Sequence, residues 1–161
     1  MSVNAAAQGL TERAREYFAV SGNCAQSTFA ALNDEFDLNA AGTLKALTAM
    51  PGVAIRGETC GAVIGSLAAL GTVFGRERLD DREGMTRAVK ISRRFCRWFE
   101  GEFGGTTCQD VLDAGLGQRF DMASPAELME YMQCGGPQHC GQVVTRSAVE
   151  VGAMISATDR D

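Results

Sequence analysis

Six cysteines in 161 residues are the side chains with most chemistry to offer. Three of them directly follow a residue that caps helices well: Asn23-Cys24, Thr59-Cys60 and Thr107-Cys108. The side-chain oxygen of such a cap accepts from a free amide of the first turn. The cysteine behind it is then expected within that turn, where unpaired N–H groups and the helix dipole favour negative charge. Cys140 is expected at the start of the last helix, in similar surroundings. The thiolate is both the nucleophile and the metal ligand of cysteine, and this placement lowers the thiol pKa. A single such cysteine reads as a small buried side chain. The same arrangement three or four times in a short chain points to thiol chemistry. Cys96, between Phe95 and Trp98, reads as packing. Cys134 lies near a helix end, and the Gly135-Gly136-Pro137 loop behind it is able to bend it back toward Cys140.

Around Cys60, glycines recur every four residues at Gly57, Gly61 and Gly65, and Ala62, Ala68 and Ala69 extend the small surface. Glycine inside a helix costs up to about 1 kcal/mol against alanine, so something should offset that. Small residues let another backbone or a ligand come very close. Tight helix contact is the plainer use. The other is room beside Cys60 for a second sulfur, a metal or a cofactor, with Gly61 and Gly65 facing it. Arg56 could stabilise a thiolate at Cys60, although a solvated arginine is the commoner outcome. His139, the only histidine, stands beside Cys140 and could tune that thiol or bind a metal, but a lone loop histidine is usually solvated. A single histidine sets aside Ser-His-Asp and multi-histidine metal sites. Neither a c-type haem motif nor a phosphate or dinucleotide loop occurs.

The elements that must position these cysteines all have helical spacing. Leu10, Ala14, Tyr17 and Phe18 mark the buried face of a first helix over 4–20, ended by Ser21 and Gly22. A second helix begins at Asn23 and turns Ala25, Phe29, Leu32 and Phe36 inward. Leu44, Leu47 and Met50 suggest a short third, stopped before Pro51. A glycine-bearing loop over 51–58 precedes a helix over 59–74. Asp80 opens a long helix with Met85, Val89, Ile91, Phe95, Trp98, Phe99 and Phe103 as its apolar residues, stopped at Gly104 and Gly105. Thr107 opens another, with Asp110 in a capping-box-like role. Ser124-Pro125-Ala126-Glu127 is a clean start signal. Pro137 is read as a break, and a last helix runs over 139–156 with Val143, Val144, Ala148, Val151 and Ile155 inside. The methionines Met50, Met85, Met122, Met129, Met132 and Met154 read as core filler. No alternating strand pattern of useful length appears. The expected fold is all-α: one domain over 1–161, a bundle of about six to eight helices with short loops.

Composition narrows the function. Apolar residues make up 45% and the net charge is -5, which fits a globular chain with a real core. Nucleic acid is not an expected partner, because the longest basic cluster, Lys90, Arg93, Arg94 and Arg97, is interleaved with Ile91, Phe95 and Trp98 as the wet side of a helix. No apolar stretch is long enough to span a membrane. Residues 1–8 lack the pattern of a signal peptide. A reducing cytoplasm is therefore the expected setting, where cysteines serve as thiols, metal ligands or redox pairs rather than permanent staples. The Trp98 region is the candidate contact for a second copy.

The segment Cys60-Gly61-Ala62-Val63-Ile64-Gly65, followed by small residues up to Leu70-Gly71, resembles the central motif of the C-GCAxxG-C-C family of redox-active proteins. Cys24 in Asn23-Cys24-Ala25-Gln26 matches the upstream cysteine of that family. Cys108, after Phe103-Gly104-Gly105-Thr106-Thr107, matches the third. Cys140, followed by Val143, Val144 and Ala148, best matches the fourth. Cys96 and Cys134 are additions. The resemblance covers about 12–154 and implies that Cys24, Cys60, Cys108 and Cys140 act together in redox chemistry, without naming a substrate. Three uses stay open at this point. The first is thiol–disulfide exchange with a redox partner or small molecule, through Cys24 with Cys60 or Cys60 with Cys108. The second is a zinc or iron–sulfur site on the four thiolates. The third is a non-enzymatic bundle with inert cysteines.

Overall fold

The computed structural model describes residues 3–158; residues 1–2 and 159–161 of the expected 1–161 domain lie outside that range. Within it the chain is an all-α bundle of right-handed helices with no named strand. They are α1 (Val3–Ser21), α2 (Cys24–Glu35), α3 (Ala41–Ala46), α4 (Gly61–Phe74), α5 (Arg82–Phe103), α6 (Cys108–Leu116), α7 (Pro125–Gln133) and α8 (Gly136–Thr158). A 3-10 turn, Leu47–Ala49, extends α3.

The capping signals hold where the side chain is free to act locally. Asn23 accepts from the Gln26 amide at 2.9 Å and Thr107 from the Asp110 amide at 3.0 Å. Ser124 caps α7, with Pro125 in its first turn. Asp81 accepts from the Gly84 amide at 2.8 Å, so the long helix starts just after the expected Asp80. Asp110 does not complete a reciprocal box; its carboxylate faces Arg119 at 3.1 Å.

α2 packs against α1, α4 and α8, α8 also packs against α1 and α4, α5 lies on α4, and α6 and α7 sit on α8. Leu10, Ala14 and Phe18 of α1, Phe29 and Leu32 of α2, Phe95 and Phe99 of α5, and Val143, Val144 and Val151 of α8 form one core. A second, smaller core joins Leu112, Phe120 and Tyr131. Phe95, Trp98, Phe99 and Phe103 form a chain of ring contacts, with neighbouring centroids 4.7–6.5 Å apart. Not every apolar residue turned out to be core. Of the methionines expected inside, Met154 is buried, but Met50, Met85, Met129 and Met132 are exposed, as is Val89. Each of these exposed side chains lies on a short element or on a helix face that nothing covers.

Three local expectations change. The segment 51–58 is not a plain loop: Gly52, Val53, Ala54 and Ile55 all have positive φ (54°, 51°, 59° and 63°) and make one left-handed turn. For L-residues this costs roughly 1–2 kcal/mol each. It is held by Ile55 N–H to the Pro51 carbonyl (2.8 Å) and Arg56 N–H to the Gly52 carbonyl (3.0 Å). Next, α4 begins at Gly61 rather than at 59, and Cys60 is its cap. Thr59 is drawn into an antiparallel bridge with Thr107, in which the Cys60 amide donates to the Thr106 carbonyl (2.8 Å) and the Cys108 amide to the Glu58 carbonyl (2.6 Å). Finally, Pro137 does not break the chain. It sits in the first turn of α8, where its missing N–H would be unpaired anyway, and the helix runs from Gly136.

Candidate functional site

The strand-like bridge is the local reason that two distant cysteines meet. Pairing 58–60 with 106–108 brings the starts of α4 and α6 side by side, and with them Cys60 and Cys108. Cys24 arrives from the start of α2, which crosses α4 at very short range. A methyl on Gly61 would sit 2.9 Å from both the Ala25 nitrogen and the Cys24 Cβ, and one on Gly65 only 2.3 Å from the Ala25 carbonyl oxygen. The glycine rhythm is therefore explained by close backbone approach to α2. Gly61 also borders the cavity described next, whereas Gly65 stands outside its lining. Polar side chains of the same segment tie it to the neighbouring turn. Asn23 Nδ2 donates to the Thr48 carbonyl, and Gln26 Nε2 to the Leu44 carbonyl, each at 3.0 Å.

The result is one cavity of about 300 Å³ that has all four of Cys24, Cys60, Cys108 and Cys140 in its wall. The rest of the lining is mostly apolar: Pro51, Ile55, Val111, Leu112, Met122 and Val143, with Tyr131 closing one side. The starts of α2, α4 and α6 all border it. Their free amides give the cavity a positive bias. The left-handed turn forms its rim, and Ile55 there is exposed.

Not every cysteine sits at the expected helix start. Cys24 and Cys108 are the first residues of α2 and α6, but Cys60 is a cap, and Cys140 is the fifth residue of α8, one turn in. Helix-start amides therefore do not explain the state of Cys140. Its thiol is nonetheless held below its ordinary value, because the Cys24 thiol and the Tyr131 hydroxyl favour its thiolate against the opposing effect of burial. The other three go the opposite way. Cys24 is pushed well up by its interaction with Cys140 and by burial. Burial pushes Cys60 up to about 12, with the Ala62 and Val63 amides pulling back. Burial and the Cys140 charge push Cys108 up to about 11. The cavity thus favours a single thiolate, on Cys140.

Tyr131 carries no sequence mark, and the reading of the chain missed it. Its position is built with care. The ring meets Phe120 edge-on at 5.9 Å. It also lies over Gly136, where a methyl would come within 2.1 Å of the ring. Gly136 and Cys140 are one turn apart on α8, so the ring that covers the glycine runs toward the sulfur. The available signal was Gly136 itself, a glycine within a helix start four residues before a cysteine. His139, by contrast, is removed from thiol chemistry. Its ring lies against Gly115, and its Nε2 is 3.0 Å from the Val111 carbonyl, pinning α8 to α6.

Cys96 and Cys134 stand outside the cavity. Cys96 is half-buried on α5, and Cys134 is exposed at the end of α7, its thiol donating to the Tyr131 carbonyl at 3.5 Å. Arg56 does not reach the cavity wall; it is exposed and faces Glu58 at 3.8 Å. Among the described residues, no three His, Cys, Asp or Glu side chains are grouped as a metal ion requires. Nor is any described helix long and apolar enough to cross a membrane.

Comparison with known proteins gives a family and no individual relative. No curated protein and no solved structure matches the chain significantly. A family model described as "Putative redox-active protein (C_GCAxxG_C_C)" matches residues 22–154, a span that holds all four cavity cysteines. The chain belongs to the C-GCAxxG-C-C family of redox-active proteins.

Proposed function

We propose that this chain carries out thiol–disulfide exchange, with Cys140 as the attacking thiolate and Cys24 as the resolving thiol. The observation behind this reading is convergence: four helices each bring one cysteine to a single apolar cavity. Four inert cysteines would have no reason to meet there. Nucleophilicity needs a thiolate, and Cys140 is the cavity cysteine whose thiolate is favoured.

Cys140 Sγ⁻ attacks one sulfur of a substrate disulfide, forming a mixed disulfide and releasing the other half as a thiolate, which takes up a proton. Cys24 then gives up its proton and attacks Cys140 Sγ, forming a Cys24–Cys140 disulfide and releasing the second thiol. The protein loses two electrons and the substrate gains them; a dithiol reductant restores the protein. Cys60 and Cys108, joined by the bridge at Thr59 and Thr107, form a second pair to which the disulfide can pass by exchange. Tyr131 is a positioning residue, holding the Cys140 thiolate through its hydroxyl.

Mild oxidation followed by non-reducing peptide mass spectrometry tests the reading. The first intrachain bridge is expected between Cys24 and Cys140. Absence of any bridge among the four cavity cysteines would refute it. The role of Tyr131 has its own test. A hydrogen bond to a charged group contributes about 1.5–3 kcal/mol, so Tyr131→Phe should raise the Cys140 thiolate pKa by about 1–2 units. The ultraviolet absorbance of the thiolate, titrated in the reduced protein, reads this directly. An unchanged midpoint would reduce Tyr131 to packing.

A further inference from the structure

We infer that the disulfide reduced in this cavity is a small and uncharged molecule, not a charged peptide-like thiol and not a folded protein. The inference rests on the thiol–disulfide reading above and adds the substrate class. At about 300 Å³, the cavity is at the lower end of small-ligand sites, about 300–1,000 Å³. None of the described residues in its wall is an acid, a base or a histidine. Arg56 faces Glu58, and Arg119 faces Asp110 and Asp113.

An ionic group moved from water into such surroundings is strongly disfavoured unless a partner meets it. A carboxylate on the substrate would find no cationic side chain there. It would also face the Cys140 thiolate, whose repulsion opposes any gain from the positive bias of the helix starts. An ammonium group would be attracted by that one thiolate but repelled by the same helix starts, and it would have no carboxylate to pair with. An uncharged disulfide meets neither penalty and gains from apolar contact with Ile55, Met122, Val111 and Val143. Size points the same way. Cys60 is 5% exposed, and Cys140 is reached within a cavity rather than on a convex surface, so the scissile bond must enter it.

The test is single-turnover oxidation of the reduced full chain carrying Cys96→Ser and Cys134→Ser, which leaves only the cavity thiols. Three small disulfides are compared: neutral bis(2-hydroxyethyl) disulfide, cationic cystamine and anionic 3,3′-dithiodipropionate. A folded protein with an exposed disulfide is the fourth probe. Each rate is divided by that of a free small thiol with the same probe, at the same pH and salt, which removes intrinsic reactivity. The neutral disulfide is expected to lead both charged ones by at least about tenfold, the equivalent of one pKa unit of discrimination. The folded protein should react no faster than they do. A charged disulfide that matches the neutral one overturns the charge selection, and a protein disulfide that does so overturns the size limit. If no probe forms a bridge among the four cysteines, the underlying thiol–disulfide reading fails instead. Ile55→Lys, which adds a cation at the rim, should raise the anionic rate several-fold relative to the neutral rate. An unmoved ratio would mean that the cavity does not do the selecting.

Discussion

Replacing Cys140 by serine, in a chain already lacking Cys96 and Cys134, is expected to slow oxidation by a small disulfide at least about tenfold at pH 7. The difference follows from the thiolate fractions of Cys140, Cys60 and Cys108; Cys24, which also remains, loses its interaction with Cys140 but is still held up by burial. A thiol at the ordinary value of 9.0 is roughly 1% ionised at pH 7, and Cys140 lies below that value, so it is more ionised. Cys108, at about 11, and Cys60, at about 12, have about 10⁻⁴ and 10⁻⁵ of their thiol as thiolate. A more basic thiolate is intrinsically more nucleophilic, by a Brønsted slope of about 0.4–0.5, which returns part of the loss. Cys108 is then left about tenfold behind, and Cys60 about thirtyfold, before access is considered. The pH profile separates this from a general loss of structure. The parent rate should level off as Cys140 ionises, whereas the variant rate should go on climbing toward pH 11. Cys24→Ser should instead leave the first attack intact and let the mixed disulfide on Cys140 accumulate, visible as an adduct by mass spectrometry. A Cys140→Ser chain with the parent rate and the parent pH profile would remove Cys140 from the chemistry.

What the sequence made legible was whatever is decided within a few residues. Asn23, Thr107 and Ser124 act as caps because a cap needs only its own first turn. The faces of α1 and α8 follow from spacing alone, since 3.6-residue periodicity is a property of the segment. The errors arise where a distant segment intervenes. Thr59 looks like Asn23 and Thr107 in sequence, but its backbone is claimed by Thr107, so the helix starts two residues later and Cys60 becomes the cap. Pro137 after two glycines reads as a stop, yet proline is equally at home in a first turn, and Tyr131 folding over Gly136 selects that outcome. The left-handed turn at Gly52–Ile55 has no local rationale for Val53, Ala54 and Ile55; it is held by hydrogen bonds back to Pro51 and Gly52. For the site, the four cysteines could be named because their types are rare and their settings repeat. Which of them carries the charge could not, because that depends on Cys24 and Tyr131 converging on Cys140 from separate helices.

The strongest expected effect on stability is alkaline, and its sign follows from the three cavity thiols that resist ionisation. In the unfolded chain they ionise near 9.0, while in the folded protein Cys60 does so only at about 12 and Cys108 at about 11. Above pH 9 the unfolded state therefore sheds protons first, and folding stability falls as pH rises. By pH 11 Cys60 alone costs roughly 3 kcal/mol, and with Cys108 the sum is on the order of 4–5 kcal/mol. That is a large part of the roughly 5–15 kcal/mol that holds a domain folded. Cys140 does not oppose this loss. Its depressed pKa contributes stability that is complete above the unfolded value and is lost only as pH falls through the folded one. The contribution of Cys60 can be isolated by a double difference. Urea unfolding of the reduced protein and of Cys60→Ala is measured at pH 8 and at pH 11. At pH 8 the variant should be the weaker, since it leaves a small void in a packed wall. At pH 11 the gap should have moved by roughly 3 kcal/mol in the variant's favour, enough to reverse the order. Two curves that stay parallel from pH 8 to pH 11 would mean that Cys60 ionises as freely in the folded protein as in the unfolded chain. The apolar cavity on which the single-thiolate chemistry depends would then not shield its thiols from water.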